Sequence, residues 1–356
     1  MRKPETIPDR GGSSVGEGVR PLALPGDVVG ISGGNRDQPA AQRNAWAVVL
    51  AGGEGTRLRA FVREVLGSER PKQFCRIIGT RSMLRHTWDR AARVVAPERI
   101  VTVITAGHER FLAEEARHGV PGTVLVQPGG RGTAPGILLP LMWIARHDPQ
   151  AVVAVFPADH FVWKEECFAR HVQEGLAAAE YWPRRLILLG VEAEGPEPGY
   201  GWIAAGSAVG GPSAPELYAV RRFWEKPDRP TALRFFRAGS FWNTLVLAGC
   251  LEAYLRLAAV ELPDVLAPLR VALECMGTPA EATALRASYA RIPPTNLSQA
   301  LLARRPQDLM MLAVRGVCWS DWGEPARILR TLHRFDFCPR WLRTPAQAPL
   351  PATARA

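Results

Sequence analysis

The residues of this chain with the clearest chemistry are three glycines that an Arg and a Lys follow. Gly52, Gly53 and Gly55 come directly after an apolar run of strand length, and Arg57 and Lys72 follow soon after. Because glycine has no side chain, the backbone can turn sharply there and bring its N–H groups close to an anion. Arg can bind phosphate oxygens with its planar guanidinium, and Lys can neutralise them as a point charge. The stretch therefore predicts a phosphate-binding turn.

Other polar turns also come directly after predicted strands. Asp159 and Asp321 each follow an apolar run, and so does the Gly-rich stretch 127–135. In open α/β sheets, ligands bind outside the carboxyl ends of the strands. These turns therefore predict one cleft along one edge of a sheet. Each Asp by itself is also compatible with an ordinary turn or helix cap.

The elements that must position these turns are predicted from alternating apolar and amphipathic runs. The predicted strands are Ala47–Leu50, Ile100–Thr105, Thr123–Val126, Ala151–Phe156 and Leu186–Val191. The predicted helices between them are Ser82–Val95, His108–His118, Ala134–His147 and Glu165–Tyr181. Strands that alternate with helices of this length predict βαβ units and a largely parallel sheet.

The second half of the chain is less regular and predicts a mixed extension of the sheet. Its predicted strands are Gly201–Ile203, Tyr218–Trp224 and Met311–Trp319, and its predicted helices are Arg229–Ala238, Leu245–Ala258 and Leu262–Met276. Residues 1–44 are rich in Gly, Pro and Ser and predict a flexible leader. Residues 45–341 then form a single domain, and residues 342–356 form a frayed Pro/Ala-rich tail.

Composition excludes several classes of function. The formal net charge of +10 invites nucleic-acid binding, but the basic residues are scattered and form no run with interleaved aromatics. No apolar run approaches the length of about 20 residues that a membrane span needs. Six cysteines without a C-x-x-C pair argue against a zinc site and predict a reducing, cytoplasmic location. The oligomeric state stays open, a homodimer included.

Seven segments, in the same order as in the family, resemble the sugar-phosphate nucleotidyltransferases. They are 50–58 with 71–74 (L-A-G-G-E-G-T-R-L and P-K-Q-F), 127–137, 157–160 (P-A-D-H), 198–203, 223–227 (F-W-E-K-P), 241–244 and 319–321 (W-S-D). The resemblance is closest to the mannose-1-phosphate guanylyltransferases. It implies a Rossmann-like α/β fold, in which helices flank a mixed, mostly parallel sheet in a single catalytic domain.

The resemblance also implies a reaction and a cofactor. Family enzymes transfer a nucleotidyl group from a nucleoside triphosphate to a sugar-1-phosphate and release pyrophosphate. Asp159 and Asp321 would hold Mg²⁺, and Arg57, Lys72 and Asp159 would be the catalytic residues. Arg57 would bind the leaving pyrophosphate, Lys72 would neutralise the reacting phosphate, and Lys226 would neutralise the phosphate of the sugar.

The same resemblance implies two binding sets. The nucleotide-binding residues would be Leu50, Ala51, Gly52, Gly53, Gly55, Thr56, Arg57, Gln127, Arg131 and Thr133. The sugar-phosphate-binding residues would be Gly199, Tyr200, Gly201, Glu225, Lys226 and Asn243. His160 serves the turn in this interpretation, and Trp319 and Trp322 are packing residues.

Departures from the family pattern keep the substrates open. Gln127 stands where the family has Glu; a Gln amide offers a donor and an acceptor, and related thymidylyltransferases use it there. GTP with mannose-1-phosphate is the leading prediction. The alternatives are dTTP or UTP, another sugar such as a heptose phosphate, and a non-catalytic nucleotide-sugar binder. A binder alone would not need Arg57, Lys72, Asp159 and Asp321 together.

Overall fold

The computed structural model describes residues 44–67, 69–117, 119–210 and 215–342. The predicted leader, apart from residue 44, and the predicted tail, apart from residue 342, lie outside these residues. The strands are β1 (Ala45–Leu50), β2 (Ile100–Thr105), β3 (Thr123–Gln127), β4 (Val152–Pro157), β5 (Phe161–Trp163), β6 (Leu186–Glu192), β7 (Gly201–Ala208), β8 (Leu217–Glu225), β9 (Phe241–Cys250), β10 (Leu309–Val314) and β11 (Cys318–Ser320).

Helices cover both faces of the main sheet, which all of these strands except β5 and β11 form. They are α1 (Arg59–Leu66), α2 (Met83–Ala91), α3 (Glu109–Ala116), α4 (Thr133–His147), α5 (Glu165–Tyr181), α6 (Arg229–Arg237), α7 (Leu251–Glu261), α8 (Pro263–Glu274), α9 (Glu281–Arg291) and α10 (Pro325–Arg334). In the described ranges, no helix combines the length and the apolar character that crossing a bilayer requires.

The main sheet is mixed, as predicted. Its strand order is β3-β2-β1-β4-β9-β6-β10-β8-β7. The pairs β1–β2, β1–β4, β2–β3 and β6–β10 are parallel, whereas β7, β8 and β9 pair only antiparallel. Both β2 and β4 are buried along their whole length, as strands between two helical layers should be. One helical layer contains α4, α7, α8 and α9, and the other contains α2 and α5.

The predicted helix Leu245–Ala258 is wrong in its first half. Residues up to Cys250 belong to β9, which lies between β4 and β6, and the helix α7 begins at Leu251. The apolar run pairs on both sides with buried strands, so tertiary contacts override the local preference for helix. A Cβ on Gly249 would lie 2.6 Å from Leu186 Cδ2, so glycine permits this close approach.

The predicted strand Met311–Trp319 is divided in two. Gly316 has a φ of 68°, and the chain turns there between β10 and β11. Whereas β10 extends the main sheet, β11 pairs with β5 in a separate two-stranded sheet. This small sheet matters for function because it places the residues that follow β11 next to those that precede β5. The helices α1, α9 and α10 have no counterpart among the predicted helices.

Candidate active site

The carboxyl ends of the parallel strands meet at one edge of the sheet, as the sequence predicts. In register, Leu50 pairs with Pro157, and Thr105 pairs with Gln127. Backbone hydrogen bonds extend this pairing past the strand end, since Ala51 N donates to the Val103 carbonyl over 2.8 Å. The Gly-rich turn, the end of β3 and the turn after β4 are therefore neighbours.

The Gly-rich turn is fixed by the side-chain amide of Gln73, which is not among the predicted site residues. Gln73 Nε2 donates to the carbonyls of Ala51 and Gly53, over 2.7 and 2.8 Å. Gly55 has a φ of 61°, in the left-handed region that favours glycine, and its missing Cβ would lie 3.1 Å from Lys72 N. Arg57 is exposed on the short helical turn that follows. The turn thus presents its backbone and the exposed Arg57 guanidinium to solvent.

Lys72 lies at the junction of the two Asp-bearing turns. Its side chain is only 4% exposed, and its Nζ lies 2.9 Å from Asp159 Oδ2. The same ammonium donates to the backbone carbonyl of Asp321 and, over 3.1 Å, to that of Trp322. Three oxygens therefore hold one buried cation between β4 and β11.

Asp159 and Asp321 are both held in the ionised form. Burial alone would raise the pKa of Asp159, but the neighbouring Lys72 and His160 outweigh it and leave that pKa below its ordinary value. The pKa of Asp321 is likewise lowered, because His160, Lys72 and Arg327 outweigh burial. The two Asp residues are neighbours, because the Lys72 ammonium contacts both Asp159 Oδ2 and the Asp321 carbonyl, and the Asp321 charge acts to raise the pKa of Asp159.

This donor set fits Mg²⁺. Mg²⁺ takes hard oxygen ligands, and it is usually bound by one or two protein carboxylates together with substrate phosphates. Asp159 and Asp321 supply two ionised carboxylates, and in the described part of the chain no group of three or more His, Cys, Asp or Glu residues forms a metal cluster. Two carboxylates are the number of protein ligands that such a site uses.

The Asp321 carboxylate forms an ion pair with a residue that no sequence motif predicts. Arg327 on α10 is 2% exposed, and its Nη1 donates to Asp321 Oδ1 over 2.7 Å. Its Nη2 lies 3.1 Å from Glu197 Oε1, and its guanidinium lies 4.4 Å from the centre of the Tyr200 ring. A Cβ on Gly199 would lie 2.1 Å from that Nη2, so Gly199 leaves the space that Arg327 fills.

A neutral network surrounds Gln127. The Thr105 hydroxyl donates to the Gly52 carbonyl over 2.8 Å, so it must accept from Gln127 Nε2, which lies 2.8 Å away. Gln127 Oε1 then accepts from the Tyr289 hydroxyl on α9 over 3.2 Å. Burial raises the pKa of Tyr289, which keeps that hydroxyl neutral and able to donate. The orientation of the buried Gln127 amide is therefore defined on both sides.

Gly52 belongs to this network through its missing side chain. A Cβ at Gly52 would lie 2.4 Å from Gln127 Nε2. The loop after β3 is secured separately, because Thr133 Oγ1 accepts from Leu297 N over 2.9 Å and Arg131 O accepts from Thr295 N over 2.8 Å. The predicted nucleotide-binding residues thus surround the strand edge, and Thr133 also fixes the loop to the 295–297 segment.

Most of the predicted sugar-phosphate-binding residues meet at the start of β7. Gly201 pairs in register with both Glu225 and Asn243. A Cβ on Gly201 would lie 3.0 Å from Glu225 Oε2, so the carboxylate crosses directly over the glycine backbone. Lys226 N donates to the Tyr200 carbonyl over 3.2 Å, and Lys226 Nζ lies 3.7 Å from Glu225 Oε1. Burial raises the pKa of Glu225, although Lys226 partly offsets that rise.

The Tyr200 side chain is separated from this group. Its ring packs against Trp242 and Trp319, with centroid distances of 4.9 and 5.1 Å. Its hydroxyl lies 3.3 Å from Ser320 Oγ. Only the Tyr200 backbone reaches Lys226, so this residue joins the two regions of the site rather than facing Glu225.

Comparison with known proteins agrees with this geometry. A family model described as nucleotidyl transferase matches residues 46–333. The xanthan biosynthesis protein XanB of Xanthomonas campestris is 32% identical over 286 residues, which are 79% of this chain and 58% of that protein. A mannose-1-phosphate guanylyltransferase of Escherichia coli is 33% identical over 231 residues, which are 64% of this chain and 47% of that protein. The chain thus spans about half the length of these relatives.

A solved structure agrees as well. The crystal structure described as mannose-1-phosphate geranyltransferase from Thermus thermophilus matches with a TM-score of 0.67 and 28% identity, over 79% of this chain and 76% of that one. The family model covers every strand of the main sheet except the first residue of β1, together with all the turns of the cleft. The chain therefore belongs to the nucleotidyl transferase family.

Proposed function

We propose that this protein transfers a nucleotidyl group from a nucleoside triphosphate to a sugar-1-phosphate, forming a nucleotide-sugar. We infer that GTP and mannose-1-phosphate are its substrates. The observation that carries the proposal is the convergence of the Gly-rich turn, Lys72, Asp159 and Asp321 at one edge of the sheet. The names of the relatives, among them mannose-1-phosphate guanylyltransferases, support the choice of substrates.

In the proposed reaction, a phosphate oxygen of the sugar-1-phosphate attacks the α-phosphorus of the triphosphate. A new P–O bond forms as the bond from the α-phosphorus to the oxygen that bridges it to the β-phosphate breaks. Pyrophosphate leaves with that electron pair. Reactions of this kind depend on positioning and charge neutralisation, and no protein nucleophile is required.

The chain supplies the charges this step needs. Two backbone carbonyls and Asp159 occupy the three N–H donors of the Lys72 ammonium, so Lys72 acts on a nearby phosphate through its charge unless one of these contacts is released. Arg57 is exposed beside the Gly-rich turn and suits the leaving pyrophosphate. Asp159 and Asp321 would hold Mg²⁺, which when bound would offset the negative charge of the phosphates.

The sugar would lie over the start of β7. Glu225 and Asn243 both flank Gly201, whose missing side chain lets the Glu225 carboxylate and the Asn243 side chain approach each other closely. Glu225 can accept hydrogen bonds from sugar hydroxyls, and Lys226 beside it can pair with the phosphate. This arrangement favours a small polar ring that carries one anionic group.

The Gln127 amide also suits nucleobases other than guanine. Its amide keeps one unused hydrogen on Nε2 and one unused lone pair on Oε1 after the bonds to Thr105 and Tyr289 are made. A base that shows an adjacent acceptor and donor would match it, and both guanine and the pyrimidines of dTTP and UTP do so. Transfer from dTTP or UTP is therefore the second candidate function.

The proposal is tested by measuring pyrophosphate release with Mg²⁺. GTP, dTTP, UTP, CTP and ATP are each paired with mannose-1-phosphate and glucose-1-phosphate. We expect release with GTP and mannose-1-phosphate, and its loss in Asp159→Ala. Asp89→Ala is the matched control, since the Asp89 side chain on α2 is 40% exposed and that of Asp159 is 37% exposed, and each pairs with one Arg or Lys.

Each outcome of the pyrophosphate-release test supports or contradicts a different hypothesis. Release with another base or sugar would keep the reaction and reassign the substrate. Equal loss in both Asp variants would remove the specific role of Asp159. No release from any pair, with protein shown to be folded, would contradict the enzyme proposal and favour a nucleotide-sugar binder.

Location and assembly also belong to the proposal. All six cysteines are free, which supports a reducing compartment such as the cytoplasm. We propose a homodimer as the assembly to test first, by light scattering of the purified full chain. A mass near 38.9 kDa, that of one chain, would contradict it.

A further inference from the structure

A pocket of about 770 Å³ opens between α10 and the loop that precedes β7. Tyr200, Trp242, Trp319 and Arg327 all line it. Successive side chains of a strand point to opposite faces of the sheet. Because Trp242 lines the pocket, Asn243 points to the other face, where it lies beside Gly201. The pocket is therefore separated by the sheet from the proposed sugar site.

The lining of this pocket carries a surplus of positive charge. Its charged residues are Arg229, Arg327, Arg330, Arg334, Glu194 and Glu197. Glu194 is paired closely with Arg334, at 2.7 Å, and Glu197 with Arg327, at 3.1 Å. Arg330 has only a long contact of 3.8 Å, to the already paired Glu197. Within the described ranges, Arg229 has no carboxylate within 4 Å. Two guanidiniums are thus left without a close carboxylate of their own.

The wall also contains buried N–H groups that lack acceptors. Trp242 Nε1, Trp319 Nε1 and Arg327 Nε are each shielded from solvent and have no hydrogen-bond partner among the described residues. All three residues are more than nine-tenths buried. A buried donor without an acceptor is costly, so three in neighbouring side chains are unusual. Because these atoms are shielded from the solvent that fills the pocket, a guest would bind through the exposed guanidiniums of Arg229 and Arg330 instead.

We propose that this pocket binds a phosphate-bearing small molecule of about sugar-phosphate size, at a site separate from the proposed substrate cleft. The guanidiniums of Arg229 and Arg330 match phosphate oxygens, for which the planar fork of Arg is well suited. The aromatic wall formed by Tyr200, Trp242 and Trp319 suits the carbon skeleton. The volume lies within the range of small-molecule sites, about 300–1,000 Å³.

The pocket and the cleft share one side chain. Arg327 lines the pocket and also donates to Asp321 Oδ1 over 2.7 Å. A ligand that draws on the Arg327 guanidinium therefore acts on the carboxylate proposed to hold Mg²⁺. By thermodynamic reciprocity, any effect of the ligand on metal affinity equals the effect of the metal on ligand affinity.

The test uses the full chain without nucleotide or metal, so it does not depend on the proposed reaction. Glucose 6-phosphate is titrated by calorimetry and by intrinsic Trp fluorescence, since two Trp residues form the wall. We expect saturable binding that weakens about tenfold or more in Arg330→Ser, as loss of a charged hydrogen-bond donor predicts. Arg229→Ser is expected to act in the same direction.

Two control variants make the result specific. The Arg304 side chain is 66% exposed with one carboxylate at 3.7 Å, and that of Arg330 is 70% exposed with one at 3.8 Å, so Arg304→Ser is a matched control that should bind normally. Lys226→Ser tests binding in the proposed sugar site and should also leave affinity unchanged. All variants are compared by thermal unfolding to show that they fold.

Three results would overturn the proposal. One is the absence of saturable binding to the wild-type chain. Another is equal weakening in Arg304→Ser and Arg330→Ser, or weakening in Lys226→Ser alone, which would place the ligand elsewhere. The third is tighter binding of citrate than of glucose 6-phosphate, which would assign the pocket to carboxylates instead of phosphates.

Discussion

Two clusters at the same edge of the sheet are held together by different interactions, one by charges and the other by neutral hydrogen bonds. The first, which we call the charged cluster, consists of Lys72, Asp159, Asp321 and Arg327, all held by ion pairs or charge-assisted bonds. The second, the neutral network, consists of Gln127, Thr105 and Tyr289, held by hydrogen bonds without charge. Charge is suited to neutralising phosphates, and a neutral amide of defined orientation is suited to selecting among bases.

The comparison teaches where variation can be tolerated. Removing one member of the charged cluster leaves another charge buried without its partner, which is costly. Removing one member of the neutral network leaves a single unpaired polar atom. We therefore expect variants of the charged cluster to change the rate of the reaction and variants of the neutral network to change its selectivity.

The largest expected effect is that of Lys72→Met. It removes the buried cation that joins the two Asp-bearing turns, and we expect kcat/KM to fall by about 10²–10³-fold, as for the loss of one group that stabilises the transition state. Pyrophosphate release is the measurement. Lys164→Met, at an exposed lysine outside the cluster, should retain activity; equal losses would break the proposed role of the charged cluster.

Next is Arg327→Gln, which tests Arg327 as a positioning residue for Asp321. We expect the Mg²⁺ concentration for half-maximal activity to rise about 10–100-fold, the usual cost of losing the partner of a metal-binding side chain. Arg327→Lys should restore part of it. Arg90→Gln is the control, because Arg90 is also buried and makes two 2.8 Å contacts with Glu165. If Arg90→Gln raises the Mg²⁺ requirement as much, Arg327 is structural only.

Gln127→Glu should change base preference more than rate. A carboxylate only accepts hydrogen bonds, so it favours the N1–H and N2–H₂ donors of guanine. We expect the ratio of kcat/KM for GTP over dTTP to rise by about tenfold. The base panel measures this ratio directly. An unchanged ratio would show that Gln127 does not read the base.

The smallest expected effect is that of Tyr289→Phe. It removes the donor to Gln127 Oε1 and leaves the amide free to rotate, so base selectivity should relax by about 2–10-fold, the value of one neutral hydrogen bond. Tyr254→Phe is a close control, since Tyr254 is also buried and donates over 3.3 Å to the Val153 carbonyl. Equal changes of base selectivity in both variants would indicate a general packing effect. They would contradict the expected difference between the charged cluster and the neutral network.

Much of the first half of the fold follows from local sequence. The predicted strand Ile100–Thr105 and the predicted helix Glu165–Tyr181 agree with the structure at both ends. Parallel strands between helices are continuous apolar runs with clear boundaries, which makes them readable. By contrast, the second half of β9 was predicted as helix because its apolar run is short and its pairing partners, β4 and β6, are distant in sequence.

The residues of the candidate site also differ in whether local sequence predicts them. Residues that lie in turns after strands, such as Asp159 and Asp321, could be predicted because polar residues interrupt apolar runs there, and Lys72 could be predicted from the P-K-Q-F segment of the family resemblance. Tyr289 could not, since it lies on a helix 162 residues from Gln127 and no spacing connects them. Arg327 could not be predicted either, since it lies on a helix that was not among the predicted ones and no motif connects it to Asp321.

By itself, the sequence of this protein determined the family, the Gly-rich turn and the carboxylates after the strands, because these depend on residue type and short spacing. The tertiary structure decided which partners hold them. It brought the Lys72 ammonium within 2.9 Å of Asp159, buried Arg327 against Asp321, and oriented the Gln127 amide between Thr105 and Tyr289. Partners of this kind come from distant segments, and only the packing of the whole chain brings them within hydrogen-bond distance.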